Sequence, residues 1–213
     1  MPRAEYEWIA PHYDRLLGRV NAAFAGIALR LLDPPPGARV LDVACGTGAA
    51  VEQYLRAGLD ATGLERSPHM SAQANKRLVG GQLVIGDATA MPFGDAEFAA
   101  ATIMLALHEM DPPVRGAVLA EIARVLKPGA PLVAIDYHDA PPANVVARLR
   151  LAVSSVVERI AGERHYRSYL DFMRTGALPG LLAREGWTIE QVKPLSGGRL
   201  AAVRATAPER PAR

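Results

Sequence analysis

Carboxylate side chains stand at or near the ends of three short apolar segments of this 213-residue chain. Asp42 lies within "VLDVACGTG", Glu65 ends "DATGLE", and Asp87 follows "QLVIG". Gly46 and Gly48 come directly after the first segment, where a bare backbone permits a tight turn and close approach of a ligand. A carboxylate about 20 residues beyond such a turn can accept hydrogen bonds from ribose hydroxyls. The spacing predicts a nucleotide-binding corner, although "GTGAAV" lacks the third glycine of the dinucleotide fingerprint.

The elements that must position these groups alternate between strand and helix along the chain. We predict strands at 38–43, 60–65, 82–86, 98–104 and 130–136, with helical segments between them. This alternation predicts an α/β fold with a parallel sheet and helices on both faces. Two further strands, at 187–195 and 199–205, flank Ser196-Gly197-Gly198 and should form a hairpin, which makes the last strand antiparallel to the rest.

Two helical regions lie outside this alternation. Residues 11–32 form a predicted helix with apolar side chains along one side. Residues 140–185 form an insert, with an apolar stripe at helical spacing followed by the aromatic and basic "ERHYRSYLDFMR". The insert either covers the sheet only or caps the pocket. We expect one domain over 1–213, with an N-terminal helical cap at 1–32, a cofactor-binding core at 33–139, the insert at 140–185 and the hairpin at 186–207.

The combination of motifs resembles one family. "VLDVACGTG", "GLE", "GDA" followed by "MPF", "DAEFAAATIMLALHEM" and "EIARVLKPGAPLVAID" are similar to class I S-adenosylmethionine-dependent methyltransferases. The similarity is to the small-molecule branch that includes the ubiquinone/menaquinone C-methyltransferases (methyltransferase type 11), and it covers about residues 10–136. It implies a Rossmann-like seven-stranded sheet in the order 3-2-1-4-5-7-6, with the last strand antiparallel and a helical cap.

The resemblance also implies S-adenosyl-L-methionine as the cofactor and S-adenosyl-L-homocysteine as the product. In the family, the acidic residue of the first strand helps to hold the ammonium group of the cofactor. The acidic residue ending the second strand holds the ribose, and the one after the third strand accepts from the adenine amino group. The implied cofactor-binding residues are Tyr13, Asp42, Ala44, Cys45, Gly46, Gly48, Glu65, Arg66, Asp87, Ala88, Met104 and Leu105.

Taken one at a time, several of these residues have simpler explanations. Asp87 could cap the next helix, and Glu65 could be a solvated charge before Ser67. Cys45, the single cysteine, has the side chain of a nucleophile, but its place inside the glycine turn favours packing. In "DPPV", Asp111 is predicted to cap the helix that starts at the following proline.

Methyl transfer from a sulfonium is an in-line displacement in which the protein mainly aligns donor and acceptor. A base is needed only if the acceptor must lose a proton. The candidates for that base are His108, His138, His165 and Tyr166, and each could equally serve in packing or hydrogen bonding. The five histidines have no ligand-like spacing, so no metal is predicted.

Composition limits the classes of partner. The net charge is +2 with dispersed basic residues, which argues against a dedicated nucleic-acid surface. No segment approaches the roughly 18–20 apolar residues of a membrane span, which predicts a cytoplasmic protein. We expect a small, partly apolar methyl acceptor and a monomer or homodimer. An RNA or protein methyltransferase on the same fold and a non-catalytic S-adenosylmethionine-binding protein remain the alternatives.

Overall fold

The computed structural model describes the backbone of residues 13–139 and 162–208, and the side chains of 18–139 and 162–208. Seven strands form one sheet in the order β3-β2-β1-β4-β5-β7-β6. Strands β1 to β5 are parallel, and β7 runs antiparallel to both of its neighbours. The order and direction predicted from the sequence are therefore confirmed. The strands are β1 (Arg39–Val43), β2 (Asp60–Glu65), β3 (Leu83–Ile85), β4 (Ala100–Met104), β5 (Pro131–Tyr137), β6 (Thr188–Leu195) and β7 (Leu200–Thr206).

Six helices are described, together with short 3₁₀ turns at Leu107–Glu109 and Ser196–Gly198. Ser67 shows why one of the helices begins where it does, since its hydroxyl accepts from the Met70 amide and Pro68 follows at the first helical position. The helices are α1 (Tyr13–Leu32), α2 (Ala49–Arg56), α3 (Pro68–Ala74), α4 (Pro112–Val125), α5 (Glu163–Arg174) and α6 (Ala177–Arg184).

The central strands are covered on both faces. Val40, Leu41 and Val43 of β1 are fully buried, as are Leu132 to Ile135 of β5. Continuous apolar runs of this kind are typical of a parallel sheet between two helical layers. The rigid sheet aligns the carboxyl ends of β1, β2, β3 and β4 along one edge, which is where ligands bind in open α/β sheets.

The predicted insert is described only in its second half. Helices α5 and α6 fall within 162–185, whereas the apolar stripe of 140–161 lies outside the described residues. Helix α5 contacts the 3₁₀ turn after β4 and α4, so it lies beside the carboxyl edge of the sheet. None of the described helices is both long and apolar enough to cross a membrane.

Candidate cofactor and acceptor site

A cleft of about 550 Å³ opens at the carboxyl edge of the sheet, beside a smaller cavity of about 60 Å³. Ala44, Gly46, Met104 and Leu105 line both spaces. Ala44 and Leu105 directly follow β1 and β4 with φ angles of 56° and 52°, a left-handed backbone that side chains disfavour. Strain of this kind concentrates at ligand sites, and the volume of the cleft is that of a small-molecule site.

Glu65, at the end of β2, is held by the two turns beside it. Its Oε2 accepts from the Gly46 amide at 2.8 Å, and its Oε1 accepts from the Ser67 amide at 2.7 Å. The side chain is buried yet lines the cleft. Each carboxylate oxygen has a second lone pair, so Glu65 can still accept from two hydroxyls in a fixed orientation. It is therefore not a solvated surface charge.

Asp42 lines the smaller cavity and is almost fully buried. The hydroxyl of Thr102, its register partner on β4, donates to Asp42 Oδ1 at 2.5 Å. Burial raises the pKa of Asp42 to about 7, against the lowering effect of this hydrogen bond. A cationic group in the cavity would favour the ionised form. Asn21 and Phe24 of α1 also line this cavity, and neither was predicted from the sequence as a site residue.

Asp87, after β3, forms a turn rather than a helix cap. Its Oδ1 accepts from the backbone amide and the hydroxyl of Thr89, at 2.9 and 2.8 Å. These two hydrogen bonds lower the pKa of Asp87, with a smaller contribution from Arg66. Arg66 Nη1 lies 3.6 Å from Asp87 Oδ2, and both side chains are exposed. Together with Ala88 they line the cleft.

Cys45 lines the smaller cavity, and both Cys45 and Gly48 pack closely within the glycine turn. Cys45 Sγ fills the space beside Gly63, where an added Cβ would lie 2.6 Å from it. Burial raises the pKa of the Cys45 thiol, so it is not a ready nucleophile. A Cβ on Gly48 would lie 2.7 Å from Leu78 Cδ1, and Gly48 is not among the described residues that line either cavity. Tyr13 begins α1, but its side chain lies outside the described residues.

The 3₁₀ turn after β4 carries a buried histidine–carboxylate pair. His108 Nδ1 lies 2.8 Å from Asp136 Oδ1, and only 5% of His108 is exposed. Asp136 Oδ2 also accepts from the amides of Leu107 and His108, which fixes the turn against β5. A carboxylate at Nδ1 favours the tautomer that carries its proton there, leaving Nε2 as an acceptor.

His108 contacts two residues of the cleft wall. Its Nε2 lies 3.9 Å from Glu109 Oε1, and its ring meets the His165 ring edge to face with centroids 5.7 Å apart. Glu109 and His165 line the cleft, whereas His108 is not among its described lining residues and lies behind them. The structure thus brings together two of the predicted bases, His108 and His165.

The same three residues are the described ones that could hold a metal ion. One ligand atom from each of His108, Glu109 and His165 lies within 4.8 Å of the others. Ligand atoms on one tetrahedral zinc ion lie roughly 3.3 Å apart, given metal–ligand distances of about 2 Å. His108 Nε2 and Glu109 Oε1, which lie 3.9 Å apart, would have to approach each other to bind one zinc ion, and the absence of a metal stays a prediction.

His138 and Tyr166, the other predicted bases, lie elsewhere. His138 Nδ1 is 3.3 Å from the Gly198 carbonyl, and its amide donates to the Arg199 carbonyl at the hairpin turn. Tyr166 stacks on Tyr169, with ring centroids 6.3 Å apart. Neither is among the described lining residues of the two cavities. The prediction that they act as bases is therefore not supported by their positions.

The aromatic residues of α5 face the core. Tyr169 is buried against Tyr137, with ring centroids 4.9 Å apart, and Phe172 is fully buried. Arg164 and His165 of this helix line the cleft. The helix therefore reaches the pocket through basic side chains rather than aromatic ones. Packing against the core therefore occupies the aromatic side chains of α5, while the part of the insert that the structure describes also reaches the cleft.

Asp111 also differs from its prediction. It occupies the N-cap position of α4 but makes no side-chain cap. Instead its two oxygens accept from Arg164 Nη2 at 2.5 Å and Ser168 Oγ at 3.0 Å, which links α4 to α5. Sequence analysis also missed Asp136 and Glu109. The signal for Asp136 was a carboxylate near the end of the otherwise apolar "APLVAID".

Comparison with known proteins agrees with this arrangement. A methyltransferase domain family matches residues 40–129. A demethylmenaquinone methyltransferase of Renibacterium salmoninarum is 35% identical over 216 residues, covering 95% of this chain and 90% of that protein. An uncharacterized methyltransferase of Synechocystis sp. is 30% identical, covering 95% and 93%. A Haloferax volcanii chain solved with a methyltransferase activator has the same fold, with a TM-score of 0.71 at 17% identity over the full length of both chains.

The fold and the matched domain define an S-adenosylmethionine-dependent methyltransferase of class I. Within that class, the chain belongs to the family that contains the demethylmenaquinone methyltransferases. The buried carboxylates of Asp42 in the smaller cavity and Glu65 in the cleft fit this cofactor, because its ammonium group and its two ribose hydroxyls could each be bound by a carboxylate already in place.

Proposed function

We propose that this enzyme methylates a ring carbon of the reduced form of a quinone-class aromatic compound. The observation that carries this proposal is the cluster of Glu109 and His165 on the cleft wall, with the His108–Asp136 pair directly behind it. The similarity to demethylmenaquinone methyltransferases supports the class of acceptor.

The chain's own groups would hold the cofactor along the sheet edge. Asp42 would bind the ammonium group, Glu65 the two ribose hydroxyls, and Asp87 the adenine amino group, with Arg66 and the Ala88 amide beside the ring. Met104 and Leu105 would form the wall beside the methionine chain. When bound, S-adenosylmethionine supplies an electrophilic methyl group on a good leaving group, and S-adenosylhomocysteine is the product.

The acceptor must present an electron-rich carbon. An oxidised quinone ring is electron-poor, whereas the dihydroxy ring of its reduced form is electron-rich, so the reduced form is the acceptor. Replacing a ring hydrogen by a cationic methyl equivalent forms one C–C bond and releases one proton, with no net oxidation or reduction. The enzyme therefore needs a group that accepts a proton at the acceptor side of the cleft.

His165 and Glu109 are placed to accept that proton, because both line the cleft. The buried His108–Asp136 pair would stabilise the positive charge that develops on the cluster once the proton arrives. His108 thus acts from behind the cleft wall, while His165 meets the acceptor. This arrangement predicts that turnover, rather than cofactor affinity, depends on the cluster.

The test is methyl transfer to a 1,4-naphthoquinone with a short 2-prenyl chain, reduced with dithionite under argon. We expect turnover with the reduced compound and none with the oxidised one. His165→Asn and Glu109→Gln should each lower kcat by about 10²-fold, as expected for loss of a general base. His138→Asn is the matched control and should retain full activity, since His138 lies at the hairpin.

Two results would overturn the proposal. Equal turnover with the oxidised ring would show that the acceptor does not need to be an electron-rich, nucleophilic carbon. Unchanged kcat in His165→Asn and Glu109→Gln would show that the cluster does not accept the proton. A chelator added to the wild-type enzyme should leave turnover unchanged. Loss of turnover that zinc restores would instead assign the three side chains to a metal ion.

A further inference from the structure

The two halves of the proton-accepting cluster come from segments that are distant along the chain. His108 and Glu109 lie on the 3₁₀ turn after β4, whereas His165 lies on α5. In the part of the chain that the structure describes, α5 is not attached directly to a strand, so side-chain contacts help to set the position of His165 relative to the turn. The polar contacts among them converge on the start of α4, at the N-cap residue Asp111 and at Arg115 in the first turn.

Arg115 bonds to both of the segments that carry the cluster, the 3₁₀ turn and α5. Its Nε donates to the carbonyl of Leu107 on the 3₁₀ turn at 2.9 Å. Its Nη2 donates to the Ser168 carbonyl of α5 at 2.5 Å, and its Nη1 donates to Asp171 Oδ2 at 2.7 Å. The guanidinium also lies over the Phe172 ring, 5.0 Å from the centroid. One planar group therefore fixes the distance between α5 and the turn.

Burial makes Arg115 the stronger of the two links. Only 1% of its side chain is exposed, so its hydrogen bonds to the Leu107 and Ser168 carbonyls are shielded from water, whereas its third partner, Asp171, is 43% exposed. The neighbouring Arg164–Asp111 pair is 82% and 38% exposed, and exposed pairs contribute little to the free energy of folding. Removing the Arg115 guanidinium would also leave the buried Leu107 and Ser168 carbonyls without this donor.

We propose that Arg115 is a positioning residue for methyl transfer, which sets His165 against His108 and Glu109 at the cleft wall. It does not line the cleft and contacts neither donor nor acceptor directly. This inference rests on the proposed proton-accepting role of His165. Its consequence is that Arg115 affects the chemical step through His165, and not through cofactor binding.

Two variants test this proposal. Arg115→Met has a side chain of similar length without hydrogen-bond donors. Arg115→Lys keeps the positive charge but lacks the planar guanidinium that donates to three acceptors. We expect kcat to fall about 10- to 100-fold in Arg115→Met, because small displacements of a catalytic group have effects of this size. The affinity for S-adenosylmethionine should stay within threefold of wild type. Arg115→Lys should recover only part of the loss.

Arg204→Met is the matched control. Arg204 also bonds to one carboxylate and two backbone carbonyls, those of Glu190, Leu31 and Leu32. It pairs with Val133 near the amino end of β5, at the edge of the sheet away from the cleft. A general loss of stability should therefore affect both variants, whereas only Arg115→Met should lose kcat per folded molecule.

A double-mutant cycle with His165→Asn separates positioning from a structural role. If Arg115 acts through His165, adding Arg115→Met to His165→Asn lowers kcat no further. Additive losses would overturn the positioning role, as would full kcat in Arg115→Met while His165→Asn is impaired. If His165→Asn alone retains full kcat, His165 is not the proton acceptor, and that part of the proposed function is wrong. Arg115 then has no proton acceptor to position.

Discussion

The cofactor side and the acceptor side of this cleft are built by different means. On the cofactor side, Glu65 is fixed by backbone amides at most 19 residues away, and Asp42 by its register partner in the neighbouring strand. On the acceptor side, each hydrogen bond that holds α5 joins two residues that are separated by 53 to 57 positions in the sequence. Each of these bonds involves at least one side chain. The cofactor side is set by the sheet, whereas the acceptor side is set by the packing of α5 together with a few polar side-chain contacts.

The two sides of the cleft should therefore tolerate amino-acid substitutions differently. A site made of strand ends and backbone amides keeps its geometry when surface helices change. A site made of side-chain links can be altered by single substitutions while the cofactor half is preserved, which suits variation in the acceptor. We therefore expect substitutions on the cofactor side to change cofactor affinity, and substitutions on the acceptor side to change turnover or stability.

The largest effect should come from the packing of α5. Tyr169→Ala removes a buried ring that contacts Tyr137, so we expect the free energy of unfolding to fall by about 3–5 kcal/mol. Cofactor affinity of the folded protein should be unchanged. Chemical denaturation and calorimetry measure the two quantities, with Tyr169→Phe as the control that keeps the ring. If Tyr169→Ala kept its stability but lost turnover, Tyr169 would instead be assigned to the acceptor pocket.

Glu65→Ala should have the next largest effect, on the other side of the cleft. Loss of an ionised acceptor for two hydroxyls should weaken S-adenosylmethionine binding by about 2–4 kcal/mol. Glu97→Ala is the matched control, because Glu97 also accepts from a backbone amide, that of Gly94, but lies outside the described cleft lining. Equal affinities in the two variants, measured by calorimetry, would remove Glu65 from the ribose site.

Asp42 should show opposite effects on stability and binding. Because its folded pKa is about 7 and thus above its ordinary value, the free protein should lose stability as the pH rises from about 4 through 7. Asp42→Asn should remove that loss and stabilise the free protein at pH 8 by about 1–2 kcal/mol, below the roughly 4 kcal/mol that three pKa units represent.

The same substitution should weaken cofactor binding, since the amide carries no charge for the ammonium group. In the wild type, affinity should rise with pH through about 7 and then level off, as Asp42 ionises. Thermal unfolding and calorimetry between pH 5 and 8 measure both trends. A cofactor affinity that does not vary over this range would contradict the assignment of Asp42 to the ammonium group.

The smallest effect should come from Asp87→Ala. One hydrogen bond to the adenine amino group is lost at an exposed position, so affinity should fall by about 1 kcal/mol. Turnover at saturating cofactor should match the wild type. A loss as large as that of Glu65→Ala would mean that Asp87 organises the loop through Thr89, and Thr89→Ala would then reproduce it.

The sequence allowed the cofactor side to be located because its groups follow apolar strands at fixed positions. Asp42, Glu65 and Asp87 each stand at a strand end, and parallel strands bring those ends together. The acceptor side could be predicted only as a set of separate histidines. No periodicity reports that Arg115 meets Asp171, or that Asp136 lies behind His108, since these contacts depend on how α5 packs across the sheet edge.

The central claim is that the methyl group reaches a ring carbon of a reduced aromatic acceptor. A single turnover with S-adenosylmethionine labelled with ¹³C in its methyl group, followed by carbon NMR of the extracted product, tests it most directly. We predict one labelled signal in the range of a methyl group on an aromatic carbon, with one proton released per turnover. A labelled signal in the range of a methyl ether would place the methyl group on a hydroxyl oxygen and contradict the claim.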